Sequence, residues 1–170
     1  MKIAILGYSG SGKSTLARRL GQALDCPVLH LDTVQFTPGW VERDRAEAQR
    51  MVRAFMNEHQ SWVIDGNYRG FEQERRLREA DKIVVLDFPR RTCLRQAVKR
   101  YFRWRGKTRE DMAAGCNEKL DPAFIWWVVW KGRRRERSGH LRNIAVQYPD
   151  KTTVAHNHAQ VDAFFAQCTR

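Results

Sequence analysis

Gly7-Tyr8-Ser9-Gly10-Ser11-Gly12-Lys13-Ser14 decides how this chain is read. The glycine loop closes on Lys-Ser. An apolar run, Lys2-Ile-Ala-Ile-Leu6, precedes it, and in the stretch from Thr15 to Leu24 that follows, apolar residues recur at helical spacing. Strand, glycine loop, helix is the setting in which such a loop grips phosphate. Glycines let backbone N–H groups converge on phosphate oxygens, and the helix start adds its positive dipole end. Gly7, Ser9, Gly10, Ser11, Gly12 and Thr15 are therefore candidate nucleotide contacts. Lys13 would reach the β- and γ-phosphates, while the Ser14 hydroxyl would ligate Mg²⁺. The plain alternative is a glycine turn with no ligand.

Working outward, 170 residues suit one domain with a real core. The first strand starts at residue 2, which leaves no room for a leader, and no apolar stretch nears the roughly 18 residues that span a bilayer. These features predict a cytoplasmic chain. Cys26, Cys93, Cys116 and Cys168 are scattered, with no C-x-x-C pair, so neither zinc nor a disulfide framework is expected. Of the net charge of +12, the segment from Arg90 to Arg142 carries +11, with 16 Lys and Arg against five acids. Arginine predominates there, and its planar fork suits phosphate. That segment predicts an anionic ligand, either a nucleotide's phosphates or a nucleic-acid backbone.

Four more short apolar runs follow: Val28–Leu31 ending at Asp32, Trp62–Asp65, Lys82–Asp87 and Lys151–Ala155. Helices are expected over 15–24, 43–59 (with Met51, Val52, Phe55 and Met56 inward), 71–80, 90–105 and 159–168. Gly106 to Pro122 reads as a mobile insertion. Asp121-Pro122 then starts a helix that carries Trp126, Trp127 and Trp130, reads as a buried segment in preference to a partner or base-stacking surface, and runs toward Tyr148 with a break near Gly139. Strands alternating with helices predict an α/β fold, a five-stranded parallel sheet with helices on both faces and a helical lid insertion. Ligands of such sheets gather beyond the strands' carboxyl ends, where Gly7, Asp32, Asp65 and Asp87 fall.

Those positions assign roles. Asp65 would hold Mg²⁺ with Ser14. Asp32 would orient the metal's waters or take the proton of a substrate hydroxyl. Positive charge is needed where the phosphoryl group moves, and Arg105 and Arg109 in the insertion could supply it by closing onto the phosphates. Of Arg133, Arg134, Arg135 and Arg137, two at most can face one site.

The chain resembles the adenylate-kinase-like branch of P-loop kinases and, within it, the small proteins named DNA topology modulation proteins. The resemblance rests on the glycine loop, His30-Leu-Asp32, Pro38-Gly-Trp40, Trp62-Val-Ile-Asp-Gly-Asn-Tyr68, Leu86-Asp-Phe-Pro-Arg90, Arg105-Gly-Lys-Thr-Arg109, and Asp111-Met112 with Gly115-Cys116. It implies ATP and Mg²⁺ as cofactors, a single domain over 1–170, an acceptor region over 33–61 and a lid over 106–122. It also implies a lid-base arginine on adenine, which Arg95 fits by spacing and for which Arg100 competes. Asp32, Trp40, Arg43, Asn67 and Arg69 are the candidate acceptor contacts. The expected activity is phosphoryl transfer from ATP to a small molecule, nucleotide- or nucleoside-kinase-like. Two alternatives stand beside it: transfer to a small hydroxyl substrate with Asp32 as base, and a P-loop ATPase binding nucleic acid through its basic face. The oligomeric state is left open.

Overall fold

Ile3, Ala4, Ile5 and Leu6 are all fully buried. Successive strand side chains point to opposite faces, so this burial means that both faces of the sheet are covered. The computed structural model describes every residue but Glu110, Lys119 and Arg170. Glu110 and Lys119 of the expected lid therefore lie outside the described residues. In chain order the elements are β1 (Lys2–Gly7), α1 (Lys13–Leu24), β2 (Val28–His30), α2 (Leu31–Gln35), β3 (Phe36–Thr37), β4 (Val41–Glu42), α3 (Arg45–Glu58), β5 (Trp62–Asp65), α4 (Gln73–Glu79), β6 (Lys82–Leu86), α5 (Arg90–Trp104), α6 (Pro122–Val129), α7 (Arg135–Gln147), β7 (Thr152–Ala155) and α8 (His158–Cys168).

The five-stranded sheet has the order β2-β5-β1-β6-β7, with every neighbouring pair parallel. β3 and β4 form a separate antiparallel hairpin. From β1 the chain first builds the sheet on one side through β2 and β5, then crosses to β6 and β7 on the other. β1 is thus the switch point, and the crevice beyond its carboxyl end lies at Gly7. Helix starts are capped by side chains: Asp44 accepts from Glu47 N, Asp121 from Phe124 N with Pro122 behind it, and Asn157 from Gln160 N. Each cap contributes about 1 kcal/mol.

Four expectations need correction. The second strand ends at His30, and Asp32 lies in the first turn of α2 rather than on a strand end. The Thr33 hydroxyl accounts for this by donating to His30 O at 2.7 Å, which starts the turn while Leu31 and Val34 bury. On α3 the buried face is Ala48, Val52 and Met56, whereas Met51 is exposed. The tryptophan helix is not a buried segment: of α6 only Val128 is buried, and Trp126 and Trp130 are more than half exposed at 58% and 52%. One eight-residue helix cannot bury every side of an all-apolar sequence. The outward tryptophans instead pack on each other at 5.8 Å, with Arg90 over Trp130. Finally, the helix breaks at Trp130–Arg134 through a 3₁₀ turn over Lys131–Arg133, and Gly139 lies inside α7. Arg133 drives this turn by aiming inward to donate to Phe88 O at 2.6 Å.

Candidate active site

The loop between β1 and α1 needs its glycines for space. Gly7 has φ 143°, and a Cβ there would sit 2.6 Å from Leu86 O. Gly10, at φ 79°, would run its Cβ into the Cys93 carbonyl. The loop therefore lies flat on β6 and the start of α5. Asn67 fastens it from the other side, accepting from Gly7 N at 3.0 Å and donating to Gly7 O at 2.6 Å. Both ends of the Asn67 amide are thus spent on backbone, a structural clamp where an acceptor contact was expected. Lys13 Nζ donates to Tyr8 O at 3.0 Å and folds over the loop. Burial pushes its pKa down, against the opposing pull of Asp32 and Asp65. Ser9 Oγ accepts from Trp127 Nε1 at 3.2 Å, and the buried Ser11 hydroxyl has no hydrogen-bond partner among the described residues.

Ser14 Oγ donates to Asp65 Oδ2 at 3.0 Å, so the hydroxyl and the strand-end carboxylate meet as expected. Hard oxygen donors side by side fit Mg²⁺, with Ser14 lining the cleft and the buried Asp65 directly behind it. The other Asp65 oxygen accepts from His30 Nδ1 at 2.5 Å. Burial alone would lower the His30 pKa, but the hydrogen bond and charge of Asp65 outweigh it and hold it above the ordinary value. No spacing rule singles out His30; only the pairing of β2 with β5, which sets His30 opposite Asp65, does so.

Asp32 Oδ1 accepts from the Tyr68 hydroxyl at 2.7 Å. Burial, with Asp32 beside it, pushes the Tyr68 phenol far up, so it stays a donor. The segment from Gly66 to Phe71 carrying Tyr68 is held by Arg76, which is fully buried on α4. Arg76 Nε donates to Phe71 O and Nη2 to Tyr68 O, both at 2.8 Å. Burial pushes its guanidinium down to about 10.

The segment 106–121 folds back over the loop. It carries one isolated bridge, Thr108 to Asn117, and buries Met112 and Cys116. It also meets the β3–β4 hairpin, where Trp40 Nε1 donates to Asn117 O at 3.1 Å and Cys116 Sγ to Thr37 O at 3.3 Å. Beneath it lies a buried ionic cluster. Arg109 pairs with Asp111 at 2.8 Å and with Glu118 at 2.6 Å, and Arg100 of α5 donates to Glu118 through Nη2 at 2.8 Å and Nε at 2.9 Å. Arg18 reaches Asp111 at 4.0 Å. Burial would raise the Asp111 carboxyl, but the charge of Arg109 leads the effects that outweigh it and hold it below the usual range.

Two cavities adjoin this assembly. A cleft of about 740 Å³ takes in Ser9, Gly10, Gly12, Lys13, Ser14, Thr15, Asp32, Trp40, Arg100 and Arg109. A second, of about 420 Å³, takes in Asn67, Arg69, Glu136, Arg137 and His140. Ser9, Lys13, Asp32, Tyr68 and Trp127 line both. Arg95 and Arg105 are exposed and line neither, whereas Arg100 and Arg103 of α5 line the cleft, and Arg109 is there without Arg105. Arg43 is also outside, spent on Val34 O at 2.9 Å and Glu47 at 2.6 Å. Within the arginine run Arg133 turns inward, and Arg137, though exposed, borders the second cavity. Arg133 lies over the Tyr8 ring at 3.8 Å, and Arg137 stacks on Trp127 at 4.1 Å. Sequence reasoning gave no role to His30, Arg76, Glu118 or Trp127.

This sheet and loop define a P-loop fold of the kinase-like type. The family model described as an AAA domain matches residues 3–113, and the chain belongs to that family. No curated protein matches it. Among solved structures it is similar to a shikimate kinase from Acinetobacter baumannii in complex with shikimate, at 16% identity and TM-score 0.62 over 98% of this chain and 89% of that one. It is also similar to a deoxyadenosine kinase from M. mycoides with dCMP and dCDP bound, at 14% identity and TM-score 0.55 over 98% of each chain. A third is an uncharacterized protein from Eubacterium ventriosum, at 16% identity and TM-score 0.54 over 98% and 95%. These likenesses establish the fold. They add nothing to the narrower resemblance to DNA topology modulation proteins. Among the described residues no helix is long and apolar enough to cross a membrane.

Proposed function

We propose that this chain transfers a phosphoryl group from ATP to a small molecule in an Mg²⁺-dependent reaction. One observation carries the reading: Lys13, Asp32 and Tyr68 line both cavities, so a nucleotide on the loop and an acceptor opposite would meet at Lys13. The nucleotide would lie in the larger cleft, against the loop, Arg100 and Arg109. The acceptor would lie in the smaller cavity, toward Arg69, Arg137 and His140. Bound through Ser14 and Asp65, Mg²⁺ would neutralise phosphate charge. Lys13 stabilises the charge on the moving group, and closure of 106–121 keeps water away.

Of the two acceptor chemistries we favour a hydroxyl, because Asp32 stands at the meeting point with one oxygen fixed by Tyr68 and the other available to take a proton. Product analysis with Mg·ATP and a panel of nucleosides, nucleoside monophosphates and sugar-like alcohols tests this, with Lys13→Ala as blank. Asp32→Asn should cut transfer to a hydroxyl by about 10²–10⁴-fold, the usual worth of a general base, while only weakening transfer to a phosphate. Slow hydrolysis alone, with no acceptor phosphorylated, would sink the proposal.

A second reading, nucleic-acid binding by a P-loop ATPase, rests on Trp126 and Trp130 exposed beside Arg90 on the basic segment. Such binding would weaken steeply with salt. Affinity for DNA that is absent near physiological salt counts against it.

A further inference from the structure

We infer that Glu118 is a positioning residue that holds Arg100 and Arg109 together as one grip for the terminal phosphate of the nucleotide. The inference deepens the ATP-binding reading above and rests on it. Arg100 is anchored on α5, but Arg109 sits in a segment whose described residues carry a single bridge and no helix or strand. Asp111 pairs with Arg109 inside that segment, but a tie to a helix is what fixes it relative to the cleft, and Glu118 of the same segment makes that tie. One oxygen takes Arg100 of α5 through Nε and Nη2, and the other lies 2.6 Å from Arg109 Nε as an ion pair without hydrogen-bond geometry. The Thr108–Asn117 bridge and the Glu118 N to Lys107 O bond set Glu118 beside Arg109.

Two guanidinium groups so near each other repel, and burial adds to this: Arg100 is pushed down first by burial and then by Arg109. A shared carboxylate makes the pair tenable. Its side chain is only 3% exposed, so its charge is engaged and not solvated. Each arginine keeps further N–H groups beyond those given to Glu118 and Asp111, and both line the cleft with Lys13 and Ser14. Removing Glu118 should therefore leave the β-phosphate grip of the loop intact and loosen only what lies beyond it.

The test is acceptor-independent. Dissociation constants for Mg·ATP and Mg·ADP are measured by calorimetry on the intact chain, with E118Q, E118D and K13A. The wild type should prefer Mg·ATP. E118Q should lose about tenfold of that preference, the weight of one charge-assisted hydrogen bond, with Mg·ADP affinity changed little. E118D, which keeps the charge on a shorter stem, should fall between. If E118Q folds poorly, E118D alone decides, because its charge preserves the cluster. In a folded variant, a merely structural role for Glu118 would weaken both nucleotides together and leave their ratio unmoved, which overturns the inference. So does an unchanged ratio, or tighter ATP binding by E118Q, which would make the carboxylate a rival of the phosphates. Wild-type protein that binds neither nucleotide overturns the ATP reading itself, and equal wild-type affinities overturn only the grip.

Discussion

Arg76→Met removes the guanidinium beneath the candidate site while nearly keeping its volume. Arg76 is 0% exposed, and its two 2.8 Å bonds serve the carbonyls of Phe71 and Tyr68. The approach to Gly66 O, at 3.4 Å, is too long to count. The Phe71 carbonyl is left unpaired, at about 1–3 kcal/mol, and Tyr68 O loses its short bond and keeps only the 3.3 Å one from Phe71 N, at about 1–2 kcal/mol more. Against this stands the relief of no longer burying a charge, the same burial that pushes the Arg76 pKa down to about 10. Replacing a whole buried ion pair by apolar residues is often harmless, but here the partners are backbone carbonyls that no mutation removes. A net loss of about 2–4 kcal/mol follows. At about 2–4 °C per kcal/mol for a chain of this size, Tm should fall by about 4–16 °C in a thermal melt. Because the freed segment carries Tyr68 and Asn67, Mg·ATP binding should weaken too, at temperatures where the variant is still folded. An unchanged or raised Tm would refute the reasoning.

Asn67→Ala should cost about 1–3 kcal/mol in stability and weaken Mg·ATP more than it raises the KM of any acceptor, because the amide clamps Gly7; the reverse pattern in steady-state kinetics would restore it as an acceptor contact. Glu79 joins the start of β1 to α4, and hydrogen bonds first from Lys2 and then from Arg75 hold its carboxyl below the usual range. A depressed folded pKa stabilises above the unfolded value near ~4.3 and is lost as pH falls through the folded one. Glu79→Gln should therefore lose about 1 kcal/mol at pH 7 in urea titration, and the gap to wild type should close in acid below that value.

The sheet was legible in the sequence because buried parallel strands are written as unbroken apolar runs, and Lys82–Leu86 or Trp62–Asp65 can hardly be anything else. The loop and the Ser14–Asp65 meeting were legible for a related reason: the carboxyl ends of adjacent parallel strands must come together. Arg100, Arg109 and Arg95 were not separable by composition. Their fates depend on which face of α5 packs and on where Glu118 lands. The tryptophan helix was misjudged because an apolar run states what avoids water, not whether enough partner surface exists to cover it. Asp32 shifted from strand end to helix turn through one Thr33 hydroxyl bond, below the resolution of periodicity.

By itself, then, the sequence determined the phosphate loop, the parallel sheet and the strand-end acid, since glycine freedom, apolar periodicity and local spacing are properties of neighbouring residues. The tertiary structure alone decided that His30 meets Asp65, that Arg76 carries the Tyr68 segment and that Glu118 joins two arginines. Those pairs lie 35, 8 and 18 or 9 positions apart. Their energies come from excluding water around charges that only the folded chain brings together.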